Sequence, residues 1–212
     1  MELSALKKRI VAFGRKMATA NLTTGSGGNI SALDTEGHVA ITPSGIEYFE
    51  LTTEQIVVTD RGGRALGSGL TPSSELGFHL ALYDQRPDIR AVVHTHSVYA
   101  TTFACLREEI PAVHYLVGYC GQRVRVAPYA TFGTPELAAA ITATIGEDQA
   151  VLLANHGLVA VGPTLASAFA VAEEIELVAR LYYQTRAIGS PHILPEDEMN
   201  TVLEKFKHYG QK

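Results

Sequence analysis

Cysteine is nearly absent from this chain: Cys105 and Cys120 are the only two in 212 residues, and neither stands in a C-x-x-C pair. That excludes the disulfide framework of a small secreted domain and makes a reducing cytoplasm the expected compartment. Positive charge is also scarce. Seventeen lysines and arginines face 22 aspartates and glutamates, a net charge of -5, and no basic block is present that could neutralise a run of phosphates. Nucleic acid is therefore not an expected partner. Internal repeats, low-complexity stretches and linkers are missing too, so the chain reads as one domain over residues 1–212, with 46% apolar residues to build its core.

A membrane span is excluded in two places. Residues 149–172 contain no Asp, Glu, Lys or Arg, and this run of 24 is long enough to cross a bilayer. However, Asn155, His156 and Gly157, then Gly162 and Pro163, put polar groups and a turn inside it. It splits into a buried strand region and a following helix. In the first twenty residues Lys7, Lys8, Arg9, Arg15 and Lys16 interrupt any apolar stretch, so no secretory signal is expected. Leu3, Leu6, Ile10, Phe13 and Met17 recur there at helical spacing, which a core-facing helix requires. An organelle-targeting peptide is the weaker reading of that basic, amphipathic start.

What is present alternates between helix and strand. Gly25 to Asn29 reads as a flexible loop, followed by β-like runs at Val39 to Thr42 and Ile56 to Thr59 and a hairpin turn at Asp60 to Arg64. Pro72-Ser73-Ser74-Glu75 opens a helix whose apolar stripe is Leu76, Leu80 and Tyr83, and Pro87 ends it. A strand at Ala91 to Thr95, a helix from about Val98 to Leu106, a strand near Val124 to Ala127 and a helix at Pro135 to Ile145 follow. Ala150 to Ala154 and Leu158 to Val161 read as buried strands, Thr164 to Ile188 as a long helix, and the tail beyond Pro191 as one more helical segment ending in Phe206, His208 and Tyr209. Interleaved helices and strands predict a single α/β domain, a sheet covered by helices. The pattern leaves strand order and direction open.

The sharpest chemical signal is His94-Thr95-His96. Residues two apart on a strand point to the same face, so both imidazoles can reach one point. Taken alone, the pair could equally be two half-exposed strand histidines, His156 a core histidine bonded to backbone, and Glu75 a carboxylate placed by the helix dipole. Taken together, three imidazoles and a carboxylate match the preference of zinc and similar divalent ions for four nitrogen and oxygen ligands. A carboxylate able to leave the ion when substrate arrives opens the coordination position a catalytic metal needs, and becomes a free base at the same spot. Beside it lies an anion-binding pattern. The Gly25 to Asn29 loop, the Thr42-Pro43-Ser44-Gly45 turn and the Ser73-Ser74 helix start all offer N–H groups or hydroxyls, the last directly before Glu75.

The ordered motifs G-S-G-G-N-I-S at 25–31, T-P-S-G at 42–45, P-S-S-E at 72–75, H-T-H at 94–96 and N-H-G at 155–157, with A-P-Y-A-T-F-G-T at 127–134 and L-E-K-F-K-H-Y-G at 203–210, cover nearly the whole chain. On these the sequence resembles the class II aldolase/adducin family, most closely its L-fuculose-1-phosphate aldolase branch. The resemblance implies a central, mainly antiparallel sheet between helices, assembled as a homotetramer. It implies one Zn²⁺ per subunit, replaceable by Co²⁺ or Mn²⁺, on Glu75, His94, His96 and His156, and a substrate phosphate at Gly28, Asn29, Ser44, Gly45, Ser73 and Ser74. In the family's pattern a threonine stands where this chain has Ser44, which keeps the hydroxyl. Glu75 is implied as the base and Tyr115 as an acid reaching the site from a neighbouring subunit, with Phe132, Phe206 and Tyr209 shaping the aldehyde side; for these aromatics plain packing is the other reading. The implied reaction is reversible cleavage of a ketose 1-phosphate, namely L-fuculose 1-phosphate or a 5-deoxy or 5-methylthio pentulose 1-phosphate, to dihydroxyacetone phosphate and an aldehyde. The alternatives are an L-ribulose-5-phosphate 4-epimerase, which in the family carries aspartate at the position of Glu75, a sugar-phosphate dehydratase or decarboxylase, a structural zinc site, and a non-catalytic adducin-like module that lacks the ligands.

Overall fold

The computed structural model describes residues 2–67 and 69–208. In chain order the elements are α1 (Leu3–Thr19), β1 (Asn29–Leu33), β2 (Val39–Ile41), β3 (Val57–Thr59), α2 (Leu76–Gln85), β4 (Ala91–Thr95), α3 (Val98–Leu106), a 3-10 helix (Tyr115–Tyr119), β5 (Val126–Ala127), α4 (Pro135–Ile145), β6 (Ala150–Leu153), β7 (Gly157–Gly162), α5 (Leu165–Ile188) and α6 (Glu196–Phe206). The strands form one sheet in the order β3-β2-β1-β4-β7-β6-β5. All neighbours are antiparallel except β5 and β6. The expected mainly antiparallel sheet between helices is what the chain forms.

Alternate residues of each strand feed two cores. Ala91 and Val93 of β4, Ala150 and Leu152 of β6, and Leu158 and Ala160 of β7 pack with α1, α3 and α5 around Ile10, Phe103, Phe169 and Ile175. Val92, Val151, Leu153, Val159 and Val161 face the other way, onto Phe78, Leu82 and Tyr83 of α2 and Leu137 and Ile141 of α4. With both faces covered, strands need no polar alternation, which is why the uncharged run from residue 149 reads as continuous apolar sequence although it forms β6, a hairpin and β7. Among the described residues no helix is long and apolar enough to cross a membrane.

The structure corrects the sequence reading at several points. Asn29 is not in a loop: it opens β1, whose five residues are all buried and so show none of the alternation that marks a strand. The 3-10 helix at Tyr115–Tyr119 was also not anticipated. The strand expected from Val124 shrinks to Val126–Ala127, because Val124 pairs in an isolated bridge with Ile110. Elsewhere local chemistry explains the boundaries. Thr134 accepts from Leu137 N–H at the start of α4 with Pro135 in its first turn, and Thr164 and Ser167 form a capping box on α5.

The first turn of α3 is capped from another helix. Glu176 of α5 accepts the backbone N–H groups of Tyr99 at 2.9 Å and Ala100 at 2.8 Å. Burial pushes its carboxyl pKa up, opposed by those two donors. Replacing Glu176 with alanine leaves both N–H groups without this acceptor and should cost about 1–3 kcal/mol. Thermal unfolding followed by circular dichroism should then shift down by roughly 2–4 °C per kcal/mol for a chain of this length, with Glu176→Gln retaining part of the difference.

Candidate metal centre

Three separate pieces of backbone bring four side chains to one point. His94 is the fourth residue of β4 and fully buried, pointing toward the α2 side like Val92. Its Nδ1 lies 2.9 Å from the Leu158 carbonyl, so the N–H is there and Nε2 is left with its lone pair. β4 ends at Thr95, which places His96 just past the strand, yet its Nε2 still comes within 3.1 Å of His94 Nε2. His156 sits at the tip of the β6–β7 hairpin. Leu153 pairs with Gly157 there, leaving a three-residue turn in which Asn155 has φ 55° and His156 N–H donates to Leu153 O. The turn presses closely on β4: a Cβ at Gly157 would run into the Thr95 carbonyl. The carboxylate comes from the other layer. Glu75 is the residue before α2, with its N–H on Ser73 Oγ at 3.3 Å.

The polar atoms converge. His156 Nε2 is 3.2 Å from His94 Nε2, Glu75 Oε2 is 3.2 Å from His94 Nε2, and Glu75 Oε1 is 3.4 Å from His156 Nε2. Ligands at about 2.0–2.1 Å around a tetrahedral zinc ion lie about 3.3 Å apart, so this spacing is that of a coordination sphere. Protonation agrees. Burial holds His96 at about 4 and His156 at about 4, so both rings are neutral above that pH. Burial pushes the Glu75 carboxyl up, but the polar groups that face it, Asn29 among them, outweigh that and hold it at about 2. Neutral imidazole lone pairs and a carboxylate aimed at one another repel unless a cation lies among them, and Glu75 Oε1 is buried with no hydrogen-bond partner. The donor set fits a divalent ion.

Next to this cluster is a cavity of about 280 Å³. Gly28, Ser44, Gly45, Ser73 and Ser74 line it together with Glu75, His96, His156 and Phe132. Two backbone bonds draw the walls together: Ser44 N–H donates to Thr71 O and Ser73 N–H to Thr42 O, which sets the T-P-S-G turn beside the P-S-S-E helix start. Gly28, at φ 68°, has no room for a side chain, since a Cβ would strike the His94 carbonyl. Among the described lining residues there is no Lys or Arg, so an anion here would be met by hydroxyls, backbone N–H groups and any divalent ion the adjoining cluster holds.

The remaining expected residues divide. Asn29 is buried behind the cavity rather than lining it, and its side-chain amide is spent on Glu75 Oε2 and His79. Phe132 is 65% exposed at the cavity. Tyr115 does not line the cavity; it is 47% exposed on the 3-10 helix, its ring 6.2 Å from that of Phe206 in α6. Tyr209 lies outside the described residues. Sequence reading passed over His79, although its place one helical turn after Glu75 was a usable signal.

Comparison with known proteins gives a consistent picture. The class II aldolase and adducin N-terminal domain family matches residues 8–183. The chain is 51% identical, over 100% of both chains, to the 5-deoxy-D-ribulose 1-phosphate aldolase of Bacillus thuringiensis serovar kurstaki. It is 43% identical to the 5-methylthioribulose-1-phosphate/5-deoxyribulose-1-phosphate aldolase of Rhodospirillum rubrum, over 97% of this chain and 93% of the relative. A solved L-fuculose 1-phosphate aldolase superposes with a TM-score of 0.93 at 45% identity, covering 96% of each chain.

The geometry predicts one divalent ion per chain. Metal analysis of the purified protein should give about one equivalent, in line with a single four-ligand site. Chelation should lower the thermal midpoint and added zinc restore it, because an ion that binds only the folded chain stabilises it by mass action. His94→Ala should lose both the ion and the response, and a zinc response unchanged in that variant would place the metal elsewhere.

Proposed function

This chain belongs to the class II aldolase and adducin family, and we propose that it cleaves a 5-deoxypentulose 1-phosphate, or a close ketose 1-phosphate analogue, to dihydroxyacetone phosphate and an aldehyde. The family is metal-dependent, and zinc on Glu75, His94, His96 and His156 is the ion we propose. One observation carries the reading: a carboxylate with a free buried oxygen stands among three converging imidazoles, at the side of a cavity lined by hydroxyls and backbone donors. The aldehyde is proposed from the relatives. Both the Bacillus thuringiensis and the Rhodospirillum rubrum proteins are named for 5-deoxyribulose 1-phosphate. Cutting that ketose between its third and fourth carbons leaves acetaldehyde.

A divalent ion at this site acts as a Lewis acid on substrate oxygens, worth several kcal/mol of charge stabilisation. The rest falls to the chain. Gly28, Ser44, Gly45, Ser73 and Ser74 hold the phosphate and fix the register of the ketose, whose charge would otherwise be unmatched in a cavity without lysine or arginine. Glu75, ionised and with Oε1 unpartnered, removes or returns the proton on the carbon next to the carbonyl. The hydroxyl proton lost as the aldehyde forms needs a second acceptor, and we assign it to Tyr115 of a neighbouring subunit in a homotetramer, with Phe132 and Phe206 beside the aldehyde. The exposed position of Tyr115, away from its own chain's cavity, supports that assignment. A cytoplasmic enzyme accords with Cys105 and Cys120, which are both free thiols.

The test is release of dihydroxyacetone phosphate from 5-deoxyribulose, 5-methylthioribulose and L-fuculose 1-phosphates by the purified protein, with the first expected to give the highest kcat/KM. Glu75→Gln should keep some metal yet lose about 10²- to 10⁴-fold in exchange of deuterium from heavy water into dihydroxyacetone phosphate, since an amide can ligate but cannot take a proton. No cleavage of any of the three would overturn the reading, and unchanged exchange in the variant would move the base elsewhere.

Mixing tests the neighbouring subunit. Tyr115→Phe and Glu75→Gln chains, each nearly inactive alone, should regain partial activity when co-assembled, because some sites then pair an intact Glu75 with an intact Tyr115. Verified mixed oligomers without recovery would put both residues in one chain's site or deny Tyr115 a part in the reaction.

A further inference from the structure

Behind Glu75 a file of buried polar groups runs away from the cavity between β1 and α2, and the chemistry proposed above leaves most of it unused. Asn29 Nδ2 donates to Glu75 Oε2 at 2.9 Å. His79 Nε2 lies 2.5 Å from Asn29 Oδ1, Ser31 Oγ is 2.6 Å from His79 Nδ1, and the Tyr83 hydroxyl is 2.6 Å from Ser31 Oγ. Asn29, Ser31, His79 and Tyr83 are all buried. The arrangement follows from two periodicities. Asn29 and Ser31 share a face of β1, and Glu75, just before α2, is followed at four-residue spacing by His79 and Tyr83 within it.

The donors in this file all point one way. A carboxylate only accepts, so Asn29 must turn its NH₂ toward Glu75 and its carbonyl toward His79. His79 Nε2 must therefore carry the proton. Burial holds the His79 pKa at about 3, so the ring is neutral, Nδ1 is a bare acceptor and the Ser31 hydroxyl donates to it. That uses the proton on Ser31 Oγ, so the Tyr83 hydroxyl donates to Ser31. Reversing any link sets two acceptors or two donors face to face among buried side chains. The result at Glu75 is asymmetric. Oε2 is held by Asn29, and Oε1 has no hydrogen bond.

We propose that His79 is a positioning residue for proton transfer: with its tautomer fixed by Ser31, it locks the Asn29 amide against Glu75 Oε2, so that Oε1 is the oxygen that takes the carbon-bound proton. The inference rests on Glu75 being the base, as argued above. It predicts that Ser31→Ala has an effect although Ser31 lies two links from the carboxylate. Without the Ser31 donor, the His79 proton can move to Nδ1. Asn29 can then flip and present its carbonyl to Glu75, which repels the carboxylate from its working position.

Three measurements test it. First, nitrogen-15 spectra of the imidazoles in zinc-loaded wild-type protein should show His79 as the neutral Nε2–H tautomer, and in Ser31→Ala a mixture of tautomers. Second, Ser31→Ala and His79→Leu should lose about 10- to 100-fold in kcat, the scale of a misplaced catalytic group, with KM changed less than about threefold and rates normalised to metal-loaded sites. Third, His79→Gln, whose amide can donate to Asn29 and accept from Ser31, should recover most of that loss. An Nδ1–H tautomer or an imidazolium in the wild-type protein overturns the proposal, as does wild-type kcat in both variants. A loss that only follows falling metal content or thermal midpoint, and that His79→Gln does not recover, overturns it as well. The tautomer measurement needs no substrate, so failure of the hydrogen-bonded file and failure to cleave any of the ketose phosphates are told apart.

Discussion

Repulsion is the constraint on which this structure is organised. Three imidazole nitrogens and a carboxylate come within 3.1–3.4 Å of one another, in neighbouring pairs, around a fully buried His94. In the absence of a cation each such approach is unfavourable, so only a stiff frame can hold the ligands ready. The frame is the centre of the sheet. β4 is the middle strand of seven and β7 its neighbour, paired from Ala91↔Gly162 to Thr95↔Leu158, and that pairing turns the Leu158 carbonyl toward His94 Nδ1. The bond fixes the ring and assigns its lone pair to the metal side. Moving the register by one residue would send His94 into the opposite core.

From that pairing the rest of the site follows by short steps. The β6–β7 hairpin is tight enough to hang His156 over the end of β4, provided that residue 157 has no side chain. β1 lies on the other side of β4 with Asn29 opposite His94, so the loop before β1 delivers Gly28 to the cavity and Asn29 to Glu75. α2 packs on this face, and its start supplies the serines and the carboxylate together. Tyr48 ties the glycine loop down by donating its hydroxyl to the Gly28 carbonyl at 2.9 Å. Distant stretches of sequence thus meet because sheet order, rather than chain order, sets which of them are neighbours.

Much of this could be read before any coordinates, and the failures have physical causes. The convergence of His94, His96, His156 and Glu75 was legible because H-x-H on an apolar strand, a histidine in an uncharged run and a carboxylate at a helix start are each costly without a purpose. α1, α4 and α5 were legible through apolar spacing and end signals such as Thr134-Pro135. β1 was not, since five buried residues next to glycines resemble a loop as much as a strand. Asn29 was assigned to a phosphate, whereas its amide is committed to Glu75 and His79, a contact between β1 and α2 that no local pattern encodes. Seven-strand order was beyond reach for the same reason: it depends on pairings across the chain.

The four proposed ligands are not held equally, and the inequality suits the proposed chemistry. His94 is gripped by a backbone carbonyl within the sheet, and His156 by a hairpin that leaves little room. Glu75 alone comes from the helical layer. It precedes the first residue of α2, and its Oε1 has no hydrogen bond to give up. A ligand that must leave the ion and serve as a base should be the one whose departure breaks the fewest contacts, while its remaining tether keeps it near the reacting carbon. Asn29, itself held from behind by His79, is that tether. In the proposed mechanism the polar file behind the carboxylate and the histidines in front of it are therefore complementary: one side would fix where the ion sits, and the other would limit how far the base can move.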